Sequence, residues 1–361
     1  MEELQRVRIR AGGGYTVTIG PGLLPRCGAL LAETIPPCRA AVVTDSTVAE
    51  RYLPAVRASL EAAGFPVCHF IFPAGEDAKT LSTLSEVLNF LAGQHLTRAD
   101  LVVTLGGGVA GDLGGFAAGV YHRGIRFVQL PTTLLAAVDA SVGGKTAVDL
   151  PQGKNLAGVF WQPSAVLCDT LCLSTQPAHG VADGVAEVIK YGVLADRALF
   201  DAFDADRLPE PERMPALIAR CVAIKGALVE EDPLDHGRRR LLNLGHTIGH
   251  AIEACSGFSL SHGRAVAIGM AMVARAAERL SLAVPGTAAA ISRVLRRNGL
   301  PVTTDYPAQA LYSAALSDKK RGGDQITLVI PRAIGDCVLH TIPVPELARI
   351  IALGKEEPPC I

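Results

Sequence analysis

Residues 99–116, ADLVVTLGGGVAGDLGGF, decide the fold. LVVTL is a short apolar run with no polar alternation, as in a strand buried on both faces. The glycines stop it, and VAGDLGGF continues with small and apolar residues at helical spacing. Gly106, Gly108 and Gly111 fit GxGxxG between strand and helix. Such glycines let backbone approach a pyrophosphate, and the helix N-terminus favours its charge. The plainer reading is close packing of helix on strand. The motif follows the third or fourth strand rather than the first, so a standard Rossmann arrangement does not fit.

Working outward, the same alternation recurs. Val7 and Ile9, a GGG turn, then Tyr15, Val17 and Ile19 predict a β-hairpin. CRAAVVTDST (38–47), VCHFIF (67–72), IRFVQLPTT (125–133) and SAVLCDT (164–170) predict strands. YLPAVRASLEAAG (52–64) and LSTLSEVLNFLAGQ (81–94) predict helices between them. Apolar strands alternating with helices imply an α/β domain with a parallel sheet covered on both faces, ligands binding beyond the carboxyl ends of the strands.

After residue 170 strand signals thin out. Residues 181–194, 214–231, 243–255, 264–280 and 287–299 have helical periodicity, with one late hairpin at 325–342. The reading is therefore an α/β domain over 1–170 and an all-α domain over 171–361. The length of 361 residues suits two domains. With 49% apolar and 19% charged residues the chain is globular rather than disordered. A net charge of −1 points to no nucleic-acid or membrane surface. No apolar run spans a bilayer, and MEELQRVRIR lacks a signal core, so a cytoplasmic location is expected. Nine cysteines without a CxxC read as reduced, mostly buried thiols.

Chemistry concentrates in a few stretches. NLGHTIGHAIEACSGFSLSHG (243–263) places His246 and His250 four apart, on one helical face, with His262 following. A lone histidine is usually a packed or solvated residue; this cluster favours a metal, and the i, i+4 pair is a candidate chelate. Thr247 stands where a zinc peptidase would place its glutamate base. Glu187, between alanine and valine, is a candidate carboxylate ligand, with Lys190 three residues on; an intrahelical ion pair is the plainer reading. VDASVGGKTAVDLPQGKN (138–155) combines Asp139, Lys145, Lys154 and Asn155 with a glycine turn, a candidate anion cradle. Lys225, Arg239 and Asn243 add cationic and polar groups near the histidines. Lys319, Lys320 and Arg321 read as a surface turn.

Taken together, GGGVAGDLGGF (106–116), YHRGIRFVQLPTTLLAAVDASVGGKTAV (121–148), GKNLAGVFWQP (153–163), AEVIKYG (186–192), LLNLGHTIGHAIE (241–253) and HGRAVAIGM (262–270) resemble the 3-dehydroquinate synthase family in order and spacing. The resemblance implies an N-terminal NAD-binding domain and a C-terminal metal-binding domain. It implies conversion of 3-deoxy-D-arabino-heptulosonate 7-phosphate to 3-dehydroquinate and phosphate in the shikimate route.

It implies Glu187, His246 and His262 as ligands of zinc or cobalt, which takes His250 out of the ligand set and makes it a proton-transfer or positioning group. NAD would contact Asp45, Gly75, Glu76, Lys79, Gly108, Val109, Ala110, Gly111, Asp112, Thr132, Thr133, Asp139, Lys145, Lys154, Cys172, Leu173, Ser174 and Thr175. Substrate would contact Asp139, Lys145, Asn155, Lys190, Lys225, Arg239, Asn243, Lys319 and Lys320, with His250, Lys190, Asn243 and Lys145 closest to the chemistry. Arg123 resembles an arginine that reaches a neighbouring subunit's site, implying a homodimer.

The charges agree with this. A phosphate of roughly −1.5 to −2 plus a carboxylate needs several cations. Two positions depart from the family: Arg264 replaces a frequent glutamate, and His122 a common methionine. That glutamate could support a metal ligand from behind, so Arg264 is expected to alter metal affinity or pH profile, not to abolish activity. The competing readings are another sugar-phosphate cyclase, which would dispense with some of these cations, and a metal- and NAD-dependent polyol dehydrogenase, which would accumulate NADH. A non-catalytic relative would lose ligands that are present here.

Overall fold

The structure, a computed structural model, describes residues 4–205, 208, 210–319 and 323–355, the side chains of 317–319 aside. The chain divides into two compact units, Met1–Pro177 with Glu210–Leu234, and Ala178–Pro209 with Asp235–Ile361.

The first unit carries β1 (Gln5–Ile9), β2 (Tyr15–Gly20), α1 (Cys27–Ala32), β3 (Ala40–Asp45), α2 (Ser46–Ala62), β4 (Val67–Phe72), α3 (Leu81–Gly93), β5 (Leu101–Gly106), α4 (Gly108–Val120), β6 (Arg126–Pro131), β7 (Lys145–Leu150), β8 (Gly153–Phe160) and β9 (Ala165–Asp169). Its seven-stranded sheet has the order β1-β2-β9-β6-β5-β3-β4. Only the β1–β2 pair is antiparallel, the predicted N-terminal hairpin. Successive strand residues point to opposite faces. Val42 and Val103 join one buried cluster with Leu53, Val56 and Leu60 of α2. Val43 and Val102 join another with Leu84 and Val87 of α3 and Leu113 and Phe116 of α4. Both faces are covered, which explains the continuous apolar runs.

From β3 the chain moves outward to β4, then returns to place β5 on the other side of β3 and β6 beyond it. The strand order therefore reverses between β3 and β5. In such sheets the ligand crevice forms at this switch point, beyond the carboxyl ends of the strands. Asp45 ends β3 and Gly106 ends β5.

The second unit begins with α5 (Ala178–Ala195) and α6 (Arg197–Ala205). The chain then returns to the first unit as α7 (Met214–Glu231), which the sequence reading had assigned to the C-terminal half. The reason is packing. A Cβ at Gly226 would lie 2.3 Å from Ile9 Cδ1, so α7 sits close against β1, and Arg10 N–H donates to Glu230 Oε1 at 2.8 Å. The rest of the second unit is α8 (His246–Cys255), α9 (His262–Arg279), α10 (Thr287–Arg297), α11 (Ala308–Lys319), β10 (Gln325–Ala333), β11 (Asp336–Pro343) and α12 (Glu346–Lys355). It is helical with one antiparallel hairpin, β10–β11, where the sequence predicted one. α9 is its central helix: Ala265 through Ala277 are all buried. No described helix is long and apolar enough to cross a membrane.

Candidate active site

In the first unit, the carboxyl ends of β3, β5 and β6 bring together turns far apart in sequence. Gly106 has φ 152° and Gly107 is the N-cap of α4. A Cβ on Gly106 would lie 2.7 Å from Ala110 Cβ and 3.4 Å from Asp45 Oδ2. Glycine is therefore needed here to turn strand into helix. Gly111 and Gly114 let α4 press onto the sheet, where Cβ atoms would meet Gln129 at 2.7 Å and Thr104 at 2.5 Å. A Cβ at Gly108 would meet only Ala140 Cβ, at 3.7 Å, so packing does not demand glycine there. Packing thus accounts for part of the glycine motif. Asp45 caps α2, its Oδ1 accepting from the N–H groups of Thr47 and Val48. Thr132 donates its N–H to Gly106 O at 3.0 Å, and the Thr133 methyl faces Gly107, so the β6 turn lies against the glycine turn.

Beside them is a charged cluster. Lys79 is almost wholly buried and holds Asp112 Oδ2 at 2.7 Å, with Glu76 Oε1 3.9 Å away. Burial alone would push the ammonium down, but Asp112 and Glu76 outweigh it and hold Lys79 above its ordinary value. Lys79 also donates to Asn155 Oδ1, and Lys154 lies 3.8 Å from Glu76. Gly75, at φ 116°, starts the short turn that carries these residues.

Residues 145–160, read from sequence partly as an anion-cradling loop, form the hairpin β7–β8. Alternating residues in TAV and LAGVF favour pairing once a Pro-Gln turn separates them. Lys145 opens β7, and Lys154 and Asn155 lie at the start of β8, Asn155 at φ 55°. Asp139 sits in a wide helical turn over Ala136–Ala140 and pairs with Lys225 of α7. The Lys225 ammonium also donates to the Asp139 carbonyl at 2.7 Å. Cys172 is buried and its thiol is pushed up to about 12 by burial and Asp169. That turn can therefore offer backbone and Leu173, Ser174 or Thr175 rather than a thiolate. Arg123 is exposed on a turn where His122, Arg123 and Gly124 all have positive φ.

In the second unit, three helices converge. Glu187 of α5 is fully buried and pairs with Lys190 one turn on. Its Oε1 makes no hydrogen bond within the chain and lies 3.7 Å from His246 Nε2 and 3.6 Å from His262 Nε2. These gaps are too long for hydrogen bonds. Donors bonded to zinc at 2.0–2.1 Å in a tetrahedron stand about 3.3–3.4 Å apart, so the three atoms fit one divalent ion. His246 and His262 are the first residues of α8 and α9. His246 Nδ1 is held by Leu244 O at 3.0 Å, which leaves Nε2 as the facing nitrogen. Burial, reinforced by Lys190, keeps His246 well below its ordinary value and hence neutral, the form that ligates.

No described cluster joins His246 and His250 to a common third donor. His250 groups instead with Glu253 and His262. The i, i+4 chelate read from spacing is corrected: the rings are 5.5 Å apart, but Glu187 approaches from the His246 and His262 side. The Glu187–Lys190 ion pair expected as the plainer reading is present alongside the free face of the carboxylate. Arg239 is buried and Asn243 exposed on the short turn Arg238–Asn243 that leads into α8. The Lys319 side chain and Lys320 lie outside the described residues. Sequence reading missed Asp183, which accepts from Ser261 Oγ at 2.6 Å and Gly263 N–H at 3.0 Å and so caps α9. It also missed Glu253, buried on α8. Both lie at helical spacing from residues that were identified, Asp183 four before Glu187 and Glu253 seven after His246.

Residues 69–183 match the family model of the 3-dehydroquinate synthase N-terminal domain, and residues 184–321 that of the C-terminal domain. A 3-dehydroquinate synthase of Streptococcus sanguinis is 44% identical over 93% of this chain and 96% of its own. One of Streptococcus pneumoniae is 43% identical over 92% of this chain and 95% of its own. Among solved structures, 2-deoxy-scyllo-inosose synthase complexed with carbaglucose-6-phosphate, NAD+ and Co2+ superimposes with TM-score 0.85 at 27% identity, covering 96% of this chain and 99% of its own. The 2-epi-5-epi-valiolone synthase of Streptomyces hygroscopicus, with NAD+ and Zn2+ bound, gives 0.85 at 27%, covering 94% and 96%. A probable glycerol dehydrogenase of Sinorhizobium meliloti gives 0.66 at 17%, a likeness of fold alone, over 94% and 96%.

Proposed function

The chain belongs to the 3-dehydroquinate synthase family, and from that premise we propose how its residues divide the work of that reaction. It is a lyase that converts 3-deoxy-D-arabino-heptulosonate 7-phosphate to 3-dehydroquinate and phosphate, a step of the shikimate route. The reaction runs through transient oxidation, phosphate elimination, re-reduction, ring opening and intramolecular aldol closure. It uses NAD and one divalent metal ion. When bound, NAD supplies a hydride acceptor that ends the cycle unchanged, and zinc or cobalt a Lewis acid that makes a substrate hydroxyl more acidic.

The chain's own residues supply position and charge. Glu187, His246 and His262 hold the ion. The observation that carries this is the convergence of Glu187 Oε1 and two Nε2 atoms around a space that no hydrogen bond fills. The first turn of α4 from Gly108 to Asp112, Asp45, the Gly75–Lys79 turn, Thr132, Thr133, Lys154 and the Cys172–Thr175 turn hold NAD at the strand-order reversal. Lys145, Asn155, Lys190, Lys225, Arg239 and Asn243 hold the anionic substrate. His250, exposed one turn after His246, orients substrate or passes a proton. The departing phosphate takes a proton itself, so no dedicated carboxylate base is required. Arg123 extends toward a second copy's site, making the working form a homodimer, and the cytoplasm is the expected location.

The test is product identity. Purified protein with NAD and zinc is given the heptulosonate 7-phosphate, a heptulose phosphate without the carboxylate and a hexose phosphate separately. The expected result is 3-dehydroquinate from the first and no turnover of the others. Turnover of a sugar phosphate without the carboxylate instead would assign the chain to another cyclase.

A further inference from the structure

The proposed mechanism gives no role to Glu253, a buried carboxylate beside the histidines. Glu253 on α8 is 2% exposed, and a carboxylate buried that deeply is held by specific partners. Its Oε2 lies 3.4 Å from His262 Nδ1. The opposite ring nitrogen, Nε2, faces Glu187 Oε1 at 3.6 Å. The His262 imidazole thus stands between two carboxylates, one at each nitrogen.

The geometry points to Glu253 as the positioning residue for His262: it holds the Nδ1 side of the ring and presents Nε2 to the metal shared with Glu187 and His246. This rests on the metal reading of the preceding subsection. Three observations support it. First, the backbone of His262 is already fixed, because Asp183 accepts from the flanking Ser261 Oγ and Gly263 N–H. The remaining freedom is rotation of the ring, and Glu253 removes it. Second, His246 meets the same need by another route, its Nδ1 held by Leu244 O while Nε2 faces Glu187. Both rings are anchored at Nδ1 and open at Nε2, the arrangement by which outer partners orient ligating histidines. Third, α8 carries both the ligand His246 and the anchor of His262: Glu253 lies seven residues after His246, on the same helical stripe. With Arg264 after His262–Gly263, the carboxylate behind the ring comes from α8 rather than from its own helix.

Glu253 also groups with His250 and His262 as donors that could hold an ion of their own. The experiment separates the two roles. Full-length protein is stripped of metal and titrated with cobalt, following the visible spectrum and the affinity by chelator competition, with NAD affinity measured on the same samples. Wild type should bind one cobalt per chain, and Glu187→Gln should abolish binding. Glu253→Gln, which keeps an acceptor, should weaken cobalt affinity about tenfold and shift the spectrum, and Glu253→Ala should weaken it up to about a hundredfold. NAD affinity should be unchanged throughout.

Wild-type affinity and spectrum in both Glu253 variants would overturn the inference. So would a second cobalt in wild type that these variants lose, which would make Glu253 a ligand. Loss of NAD affinity together with cobalt would reduce Glu253 to a general folding role and also overturn it. If Glu187→Gln still binds cobalt, the metal reading fails first and takes this inference with it; if only the Glu253 variants are silent, the metal reading stands.

Discussion

Glu187 Oε1 lies 3.6 Å from His262 Nε2, while Lys190 occupies the other side of the same buried carboxylate. One face is neutralised by a neighbour on the helix, and the other is left for an ion. Removing Lys190 should therefore matter most when the ion is absent. Lys190→Met should destabilise the metal-free protein by up to about 3 kcal/mol, because the buried Glu187 then keeps only the more distant His262 as a counter-charge. Zinc should recover much of that loss by binding the folded state. Thermal unfolding with and without zinc checks both halves, and an equal loss in the two conditions would contradict the arrangement.

Metal binding should release a proton. Burial would lower His262, but Glu187 and Glu253 outweigh it and lift the ring from 6.5 to about 10. The metal-free site thus carries a proton that an incoming ion must displace. Apparent zinc affinity should rise about tenfold per pH unit between roughly pH 6.5 and 10, then level off. The linkage to stability has the opposite sense. A raised folded value makes the proton stabilising below about 6.5, with that contribution lost as pH rises toward 10. Calorimetric zinc titrations in buffers of different ionisation heat report the proton count. A count of zero at pH 8 would contradict the assignment.

Gly263 should tolerate no side chain. Its Cβ would fall 2.3 Å from Asp183 Cα and 2.6 Å from Asp183 O. Gly263→Ala must push the start of α9 away from α5, and His262 with it. The expected outcome is a stability loss of about 1–3 kcal/mol. Cobalt affinity should fall in parallel and NAD affinity should not. Spectroscopic titration checks this.

On the nucleotide side, Gly106→Ala would place a Cβ 2.7 Å from Ala110 in a backbone of φ 152°. The start of α4 must shift, at about 1–3 kcal/mol. NAD affinity should fall at least about tenfold, with cobalt binding in the second unit intact. NAD titration by fluorescence measures the first and the cobalt spectrum the second.

The parallel sheet was legible because its strands are continuous apolar runs and its turns carry glycine and threonine. The helical half was legible from periodicity, as with the stripe of Ala288, Ile291 and Leu295 that α10 buries. Local pattern could not say which core a helix covers, so α7 was placed with the wrong neighbours in the chain. Its contacts with Ile9, Arg10 and Asp139 decide that. The β7–β8 hairpin was obscured by the Gly143-Gly144 turn just before it, a glycine pair that made the whole segment read as a loop. At the histidines, spacing alone favoured His246 with His250. The carboxylate that selects among them sits on a different helix, information that no single periodicity contains.

The account's central claim is that NAD is used and returned within one turnover while phosphate leaves. The direct measurement records phosphate and NADH together as purified protein acts on the heptulosonate 7-phosphate, with zinc and NAD each present or withheld. The account predicts one phosphate per substrate, no net NADH, and no phosphate when either zinc or NAD is missing. NADH accumulating in proportion to substrate, with no phosphate released, would contradict it and make the chain a dehydrogenase.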